Sequence, residues 1–496
     1  MPTREEIWHE ADLPTRRLAG LALNPSTPED VLLRLLSDAP LAARMVLCMD
    51  RDLPSAVMDA VITHPDTRTR GFFARNPYVD PAQRARLVDD PEWLVRALLA
   101  DGPLTTDDTV PRRLPDDTVL RMINTYDDES LGGSLYRQIS AELWEALPTH
   151  PDPKARVWGA GRWGSLSPET RAALLADPDD AVRERARGCA QWEDVAWVES
   201  QFPDRPCHAR TGTLVNHPLS RALIDGVLTA PAGPDERGAL ALNPTLPPDV
   251  VILLAADPDP EVREGIAHRA DLGPDQLRAL AVDPDPEVRL AVSLHPAWSE
   301  EERTAIDYEV PMDRTFGFHP ELLYPRDPED VRRDALSGHP ILRRHAAQEH
   351  SLPPDLLERL TVDDDLGVRV LVAQNHPDAS AELLLRSFLE YTGRERARLP
   401  HRPNFPTDGL APYADDEDPE VRALAARDPA TPPETVGRLT RDPDPAVRAA
   451  FARHPGLPPA RLTELLDDEE LVQHAAANPA LGVETIRRLA AALPVS

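Results

Sequence analysis

Asp257-Pro258-Asp259-Pro260-Glu261-Val262-Arg263 returns 26 residues later as Asp283-Pro284-Asp285-Pro286-Glu287-Val288-Arg289. A third copy stands at Asp442-Pro443-Asp444-Pro445-Ala446-Val447-Arg448. Self-similarity at a fixed period of this length signals a repeat architecture. With the arginine as ruler, the period extends outward through Arg17, Arg44, Arg70 and Arg96, then Arg156, Arg183, Arg210, Arg237, Arg263 and Arg289. It continues at Arg343, Arg369, Arg396, Arg422 and Arg448, and Gln473 holds the place in the last copy. A second marker, Asn-Pro or His-Pro, follows the ruler by a few residues: Asn24-Pro25, Asn76-Pro77, His217-Pro218, Asn243-Pro244, His295-Pro296, His376-Pro377, His454-Pro455 and Asn478-Pro479. Two markers in one phase give about 18 copies of about 26 residues, with degenerate copies near Arg121 and Arg314. The register slips most between Arg121 and Arg156, so the expected body is one continuous solenoid over 1–496 with an irregularity at about 100–155.

Each copy reads as two short helices. The first starts at a Pro-Pro-acid step such as Pro247-Pro248-Asp249, because proline suits a first helical turn. Its apolar residues (Val250, Leu253 and Leu254; Leu462, Leu465 and Leu466) keep helical spacing. The Asp-Pro-Asp-Pro corner stops it, since a residue before proline avoids helical geometry, and an aspartate there can cap the second helix. The second helix buries i, i+4 pairs: Val262 with Ile266, Val288 with Val292, Val447 with Phe451. Neither helix is long enough to be stable alone, so the burial must come from stacked neighbours.

Composition excludes several classes of function. The chain has 496 residues, only 5% aromatics and 55 prolines, and its net charge is −31. Such a charge repels nucleic acid and anionic membranes, which argues against a nucleic-acid partner and favours partners that are proteins, basic ones among them. No apolar run is long enough to span a bilayer, and the acidic start Met1-Pro2-Thr3-Arg4-Glu5-Glu6 does not read as a secretory signal. Cys48, Cys189 and Cys207 offer no disulfide framework. These features together give the expectation of a cytoplasmic protein.

The phrase His/Asn-Pro, Leu-Pro-Pro, Leu-x-x-Leu, Asp-x-Asp-x-x-Val-Arg resembles the leucine-rich repeat variant (LRV) family, a bacterial family similar in architecture to HEAT and armadillo repeats. The resemblance implies an all-α, right-handed superhelical solenoid of paired short helices, some of them 3₁₀. Its spacing is also similar to HEAT repeats, in which an aspartate and the arginine six positions later form a ladder between neighbours. Asp257 with Arg263, Asp283 with Arg289, and Asp442 with Arg448 match that pattern, and each arginine is expected to be held by the acid six residues earlier and by nearby carbonyls. The match is incomplete, since His64 precedes Arg70 and Ser337 precedes Arg343 by six. A basic ribbon for an acidic partner is the other reading of the arginine column. Some family members carry an iron–sulfur segment; three scattered cysteines fall short of the about four thiolates a cluster requires.

No cofactor and no catalytic group is expected. A GxxxxGK[ST] phosphate loop, a GxSxG elbow and an HExxH helix are all missing from the sequence. Cys207, His208 and His217, with Cys189, lack the tight spacing of a zinc site. The His-Pro histidines read as loop and capping residues interchangeable with Asn24, Asn76 and Asn243. Trp158, Trp163, Trp192 and Trp197, with Trp144, crowd one region and are candidate partner-binding anchors; the competing reading is that they repack a core around irregular copies. A weaker aromatic cluster comprises Tyr308, Phe316, Phe318 and Tyr324. The expected function is a non-catalytic intracellular protein-interaction scaffold or adaptor, working by contacts along its concave face. The alternative is an enzyme or enzyme accessory whose solenoid cradles a peptide or nucleic acid.

Overall fold

The computed structural model describes residues 7–8, 11–103, 112–126, 135–229, 234–312 and 327–491. Among them every regular element is helical. The copy at 247–267 shows why. Helix Pro248–Leu254 begins with proline in its first turn and buries Val250, Val251 and Leu254. Its chain then turns at the Asp-Pro corner, where the Asp257 carboxylate accepts the Asp259 N–H at 2.9 Å. Asp259 in turn caps helix Pro260–Ala267 by accepting the Glu261 N–H at 3.0 Å. Asp285 and Asp444 cap helices Pro286–Ser293 and Pro445–Ala452 in the same way. The expected i, i+4 pairs Val262/Ile266, Val288/Val292 and Val447/Phe451 are all fully buried. At roughly 1.5–3 kcal/mol for each large apolar side chain, these pairs hold helices of seven or eight residues that would not form alone.

Successive second helices pack side by side, as Pro234–Ala241, Pro260–Ala267 and Pro286–Ser293 do around one shared core. This is the helical repeat architecture that the period implies. The 3₁₀ turns also occur, at Leu135–Gln138, Leu147–Thr149, Trp163–Ser165, Arg394–His401, Ala411–Asp415 and Ala425–Arg427.

The chain divides into two compact units: residues 1–147 with 400–496, and residues 148–399. Both boundaries fall where the repeat breaks down. The first lies in the expected irregularity, where short and 3₁₀ helices replace the regular pair between residues 135 and 149. The second, around 394–415, is not marked by a slip of the ruler. There Arg396 sits in a 3₁₀ segment, donates to the Phe388 carbonyl at 2.8 Å and lies over the Phe388 ring, so it leaves the arginine column altogether. The degenerate copy at Arg314 and the aromatics Phe316, Phe318 and Tyr324 lie outside the described residues.

Candidate functional site: columns along the repeat

The arginine column is a ladder, with a different partner from the one the spacing suggests. Arg263 donates two parallel bonds to Asp283 of the next copy, Nε to Oδ2 at 2.7 Å and Nη2 to Oδ1 at 2.8 Å. Its remaining Nη1 reaches back to the main-chain carbonyl of Asp257 at 2.8 Å. The acid six residues earlier therefore supplies a carbonyl, while its carboxylate belongs to the arginine before it: Asp257 takes Arg237, Asp283 takes Arg263 and Asp442 takes Arg422. Arg70–Asp90, Arg156–Asp177 and Arg343–Asp363 repeat the pairing. This geometry removes the exceptions. His64 and Ser337 need only a carbonyl to serve Arg70 and Arg343, and both do. Arg289 and Arg448 hold the carbonyls of Asp283 and Asp442, but their forward partners, Asp307 and Glu470, are more exposed.

Burial pushes the Asp283 carboxyl up, but the Arg263 guanidinium and the Asp285 N–H outweigh it, and the net shift is downward. The same opposition lowers Asp442. At Asp177 the bond from Arg156 is the largest influence and again lowers the carboxyl. Bidentate arginine–carboxylate pairs of this kind fix both spacing and orientation of neighbouring copies.

The Asn/His column is equally structural. Asn243 donates Nδ2 to the carbonyls of Leu214 and His217 at 2.7 and 2.9 Å, and its Oδ1 accepts the Thr245 N–H. His454 reproduces this with an imidazole, Nε2 bonding the Asp428 carbonyl and Nδ1 accepting the Gly456 N–H at 2.9 Å each. Both side chains are a donor and an acceptor held apart on a planar frame, which is why they interchange. Among the described residues no group of three or more His, Cys, Asp or Glu side chains is placed to hold a metal ion. Cys207 and His208 are exposed, and His217 is half-buried.

The tryptophans separate into two environments. Trp163 is buried in a core with Ala160, Leu174, Val182 and Ala186, with the Arg171 guanidinium 5.6 Å above its ring. It cannot be an exposed anchor. Trp158 is half-buried on helix Pro153–Ala160. Trp192 is 38% exposed, meets the half-buried Trp197 edge-on at 4.6 Å and stacks on His217 at 4.5 Å. Of Trp158, Trp163, Trp192 and Trp197, Trp192 is the most exposed.

A further column was not singled out from the sequence. Seven residues before the ruler, near the end of the first helix, the described copies of the 148–399 unit carry Thr149, Ala176, Pro203, Ala256, Val282, Leu336, Val362 and Leu389. Val282 is 78% exposed, Val362 69% and Leu336 50%. In the other unit the same position holds Ser37, Thr63, Asp89, Asp415 and Arg441, and in the last copy the buried Leu466. Its charges are used: Asp89 pairs with Arg121, Asp415 with Arg438, and Arg441 with Glu464. The contrast is general. Among the described residues, three exposed large hydrophobic side chains lie in the first unit (Trp93, Tyr136, Val483) and ten in the second, Ile252 and Leu253 among them.

A cleft of about 360 Å³ in the second unit brings together His268, His295, Arg303, Asp330, Arg333, Asp334 and His345. Its charges are largely spent on one another and on the backbone. Arg303 donates to the carbonyls of Ser293, His295 and Trp298, and Arg333 pairs with Asp330 and Asp334.

Stacked helix pairs tied by an arginine–aspartate ladder define a helical repeat protein. The leucine rich repeat variant family model matches residues 419–444, a stretch that holds both partners of the Arg422–Asp442 rung. The crystal structure of an engineered protein is similar over 92% of this chain and 99% of its own, at 16% identity and a TM-score of 0.10, a score too low to support anything further. No curated protein matches the chain.

Proposed function

We propose that this chain is a non-catalytic, cytoplasmic protein-interaction scaffold whose 148–399 unit binds its partners through side surfaces of the stack. The observation that carries the reading is the apolar column Val282, Leu336 and Val362, which is exposed where the other unit places ion-paired charges. Large exposed hydrophobic side chains concentrated in one region mark an interaction surface, and Trp192 with Trp197 adds the aromatic type that dominates interface hot spots. The net charge of −31 favours a basic partner and speeds its approach. No helix among the described residues is long and apolar enough to cross a membrane. The enzyme-accessory alternative draws on the His295–His345 cleft, where Arg333 pairs with Asp330 and Asp334 and Arg303 is bound to main-chain carbonyls.

The test is affinity capture from the source organism with matched variants. Val282→Asp with Val362→Asp, and separately Trp192→Ala, should remove the partners that wild type captures. Asp415→Ala with Arg441→Ala should not. Capture that survives the first set, with all variants folded, would refute this surface.

A further inference from the structure

Within the unit formed by 1–147 and 400–496, the earliest and latest described copies meet. Helix Leu13–Leu23 carries the ruler Arg17 and ends on Asn24-Pro25, so by its markers it is a second helix. Helix Val483–Ala490 follows Asn478-Pro479, so it is a first helix. Every described asparagine of the marker column reaches back to the preceding copy: Asn76 to the carbonyls of Cys48 and Arg51, Asn478 to those of Ala452 and His454. Asn24 makes the same two bonds, to Ala476 at 2.9 Å and Asn478 at 2.7 Å, although these lie more than 450 positions away. Helix Val472–Ala476 is thus its preceding neighbour.

The first helices agree. Arg332 clamps Asp355 on the next first helix with two bonds, and Arg487 clamps Asp30 on Glu29–Asp38 in the same way, at 2.6 and 3.0 Å. Arg17 adds bonds to the Leu466 carbonyl and to Asp467, and Ser26 bonds the Pro479 carbonyl. Gly20 permits the approach: a Cβ there would lie 2.2 Å from the Gln473 carbonyl oxygen and 2.6 Å from the Ala476 Cβ.

We infer that Val483–Ala490 and Leu13–Leu23 form one composite repeat, assembled from opposite extremities of the sequence, and that this clasp joins residues 13–38 and 459–490 into a single cooperative element. Gln473 and the helix after it are the docking surface for the first copies. Each stacking face in the clasp is already occupied by the other, so a second copy of the chain has no place to continue the stack there, and partners are left the side surfaces.

Two glycine substitutions test the clasp by the sign of their effects. Gly188 lies inside helix Asp180–Gln191 with no atom within 4 Å of a built Cβ. Helix propensity alone favours alanine over glycine at both sites. Gly188→Ala should therefore hold or raise the melting temperature, and Gly20→Ala should lower it. Gly20→Ala should also speed amide exchange at residues 472–490 by about tenfold or more, with 260–293 unchanged. If Gly20→Ala does not fold, Asn24→Ala is the milder variant and must produce the same distant deprotection. Gly20→Ala behaving like Gly188→Ala, or exchange changes confined to 13–38 in either variant, would overturn the clasp.

Discussion

The two units share a ladder and differ in what surrounds it. Arg70–Asp90 and Arg422–Asp442 in one, and Arg156–Asp177 and Arg263–Asp283 in the other, are the same bidentate rung with the same carbonyl behind it. At the end of the first helix the units part: one includes the ion-paired Asp89, Asp415 and Arg441, the other the exposed Val282, Leu336 and Val362. A repeat protein can vary such positions freely because the ladder and the buried i, i+4 pairs already fix the stacking. The shared columns therefore describe how the molecule stands, and the column that differs carries the proposed binding surface.

If the ladder is common to both units, removing a rung should cost the same in either. Arg263→Ala and Arg422→Ala each leave a largely buried carboxylate, Asp283 or Asp442, without its guanidinium and should destabilise their units by about 3 kcal/mol. Arg448→Ala, whose partner Glu470 is half exposed, should cost clearly less. Thermal or urea unfolding of the three variants checks the order; equal costs for all three would remove the distinction between buried and exposed rungs.

A smaller effect concerns pH. In the 148–399 unit, His339 accepts the Ile341 N–H on Nδ1 and donates from Nε2 to Ser293, whose hydroxyl donates onward to the Leu290 carbonyl. That network needs a neutral ring. Burial, with Arg303 and neighbouring cations, holds its pKa down at about 3. In the other unit, burial and then Arg453 hold His474 at about 4. Both folded values lie below the ordinary 6.5, so the unfolded chain binds protons first. Stability from each is intact above pH 6.5 and is lost as pH falls toward 4 and 3, by up to about 1.4 kcal/mol per pH unit per group. The ladder aspartates, also depressed, add their loss only below about pH 4. His339→Asn should flatten the slope between pH 6.5 and 4 in one unit and leave the His474 contribution in the other. An unaltered slope would contradict the neutral assignment.

The smallest expected change in stability is the most informative about binding. Val282→Asp and Val362→Asp alter exposed side chains and should shift stability by no more than about 0.5 kcal/mol while removing partner binding. A large loss of stability would mean these valines support the fold instead.

Much of this architecture was legible in the sequence because it repeats. Proline at helix starts, aspartate at corners and the Asn/His marker are local rules, and 18 copies make each visible. The choice of carboxylate for each arginine was not. Asp257 and Asp283 are both near Arg263, one by sequence and one by stacking, and only packing of neighbouring copies decides between a carbonyl from the first and a carboxylate from the second. Trp163 and Trp192 look alike in the chain, yet one sits in the space beneath irregular copies and the other beside His217. The apolar column had a signal that could have been found: Val282 and Val362 are β-branched apolar residues at a position that is Asp, Arg, Ser or Thr in several other copies. The clasp had a fainter one, an Asn24-Pro25 marker whose backward bonds require carbonyls from a preceding copy.

The central claim is that the 148–399 unit binds and the other unit does not. Amide exchange of the protein with and without its captured partner tests it most directly. The account predicts slowed exchange along first helices Pro248–Leu254, Pro274–Leu280 and Pro354–Thr361, with 419–490 unchanged. Protection confined to 419–490 or 13–101 would contradict it.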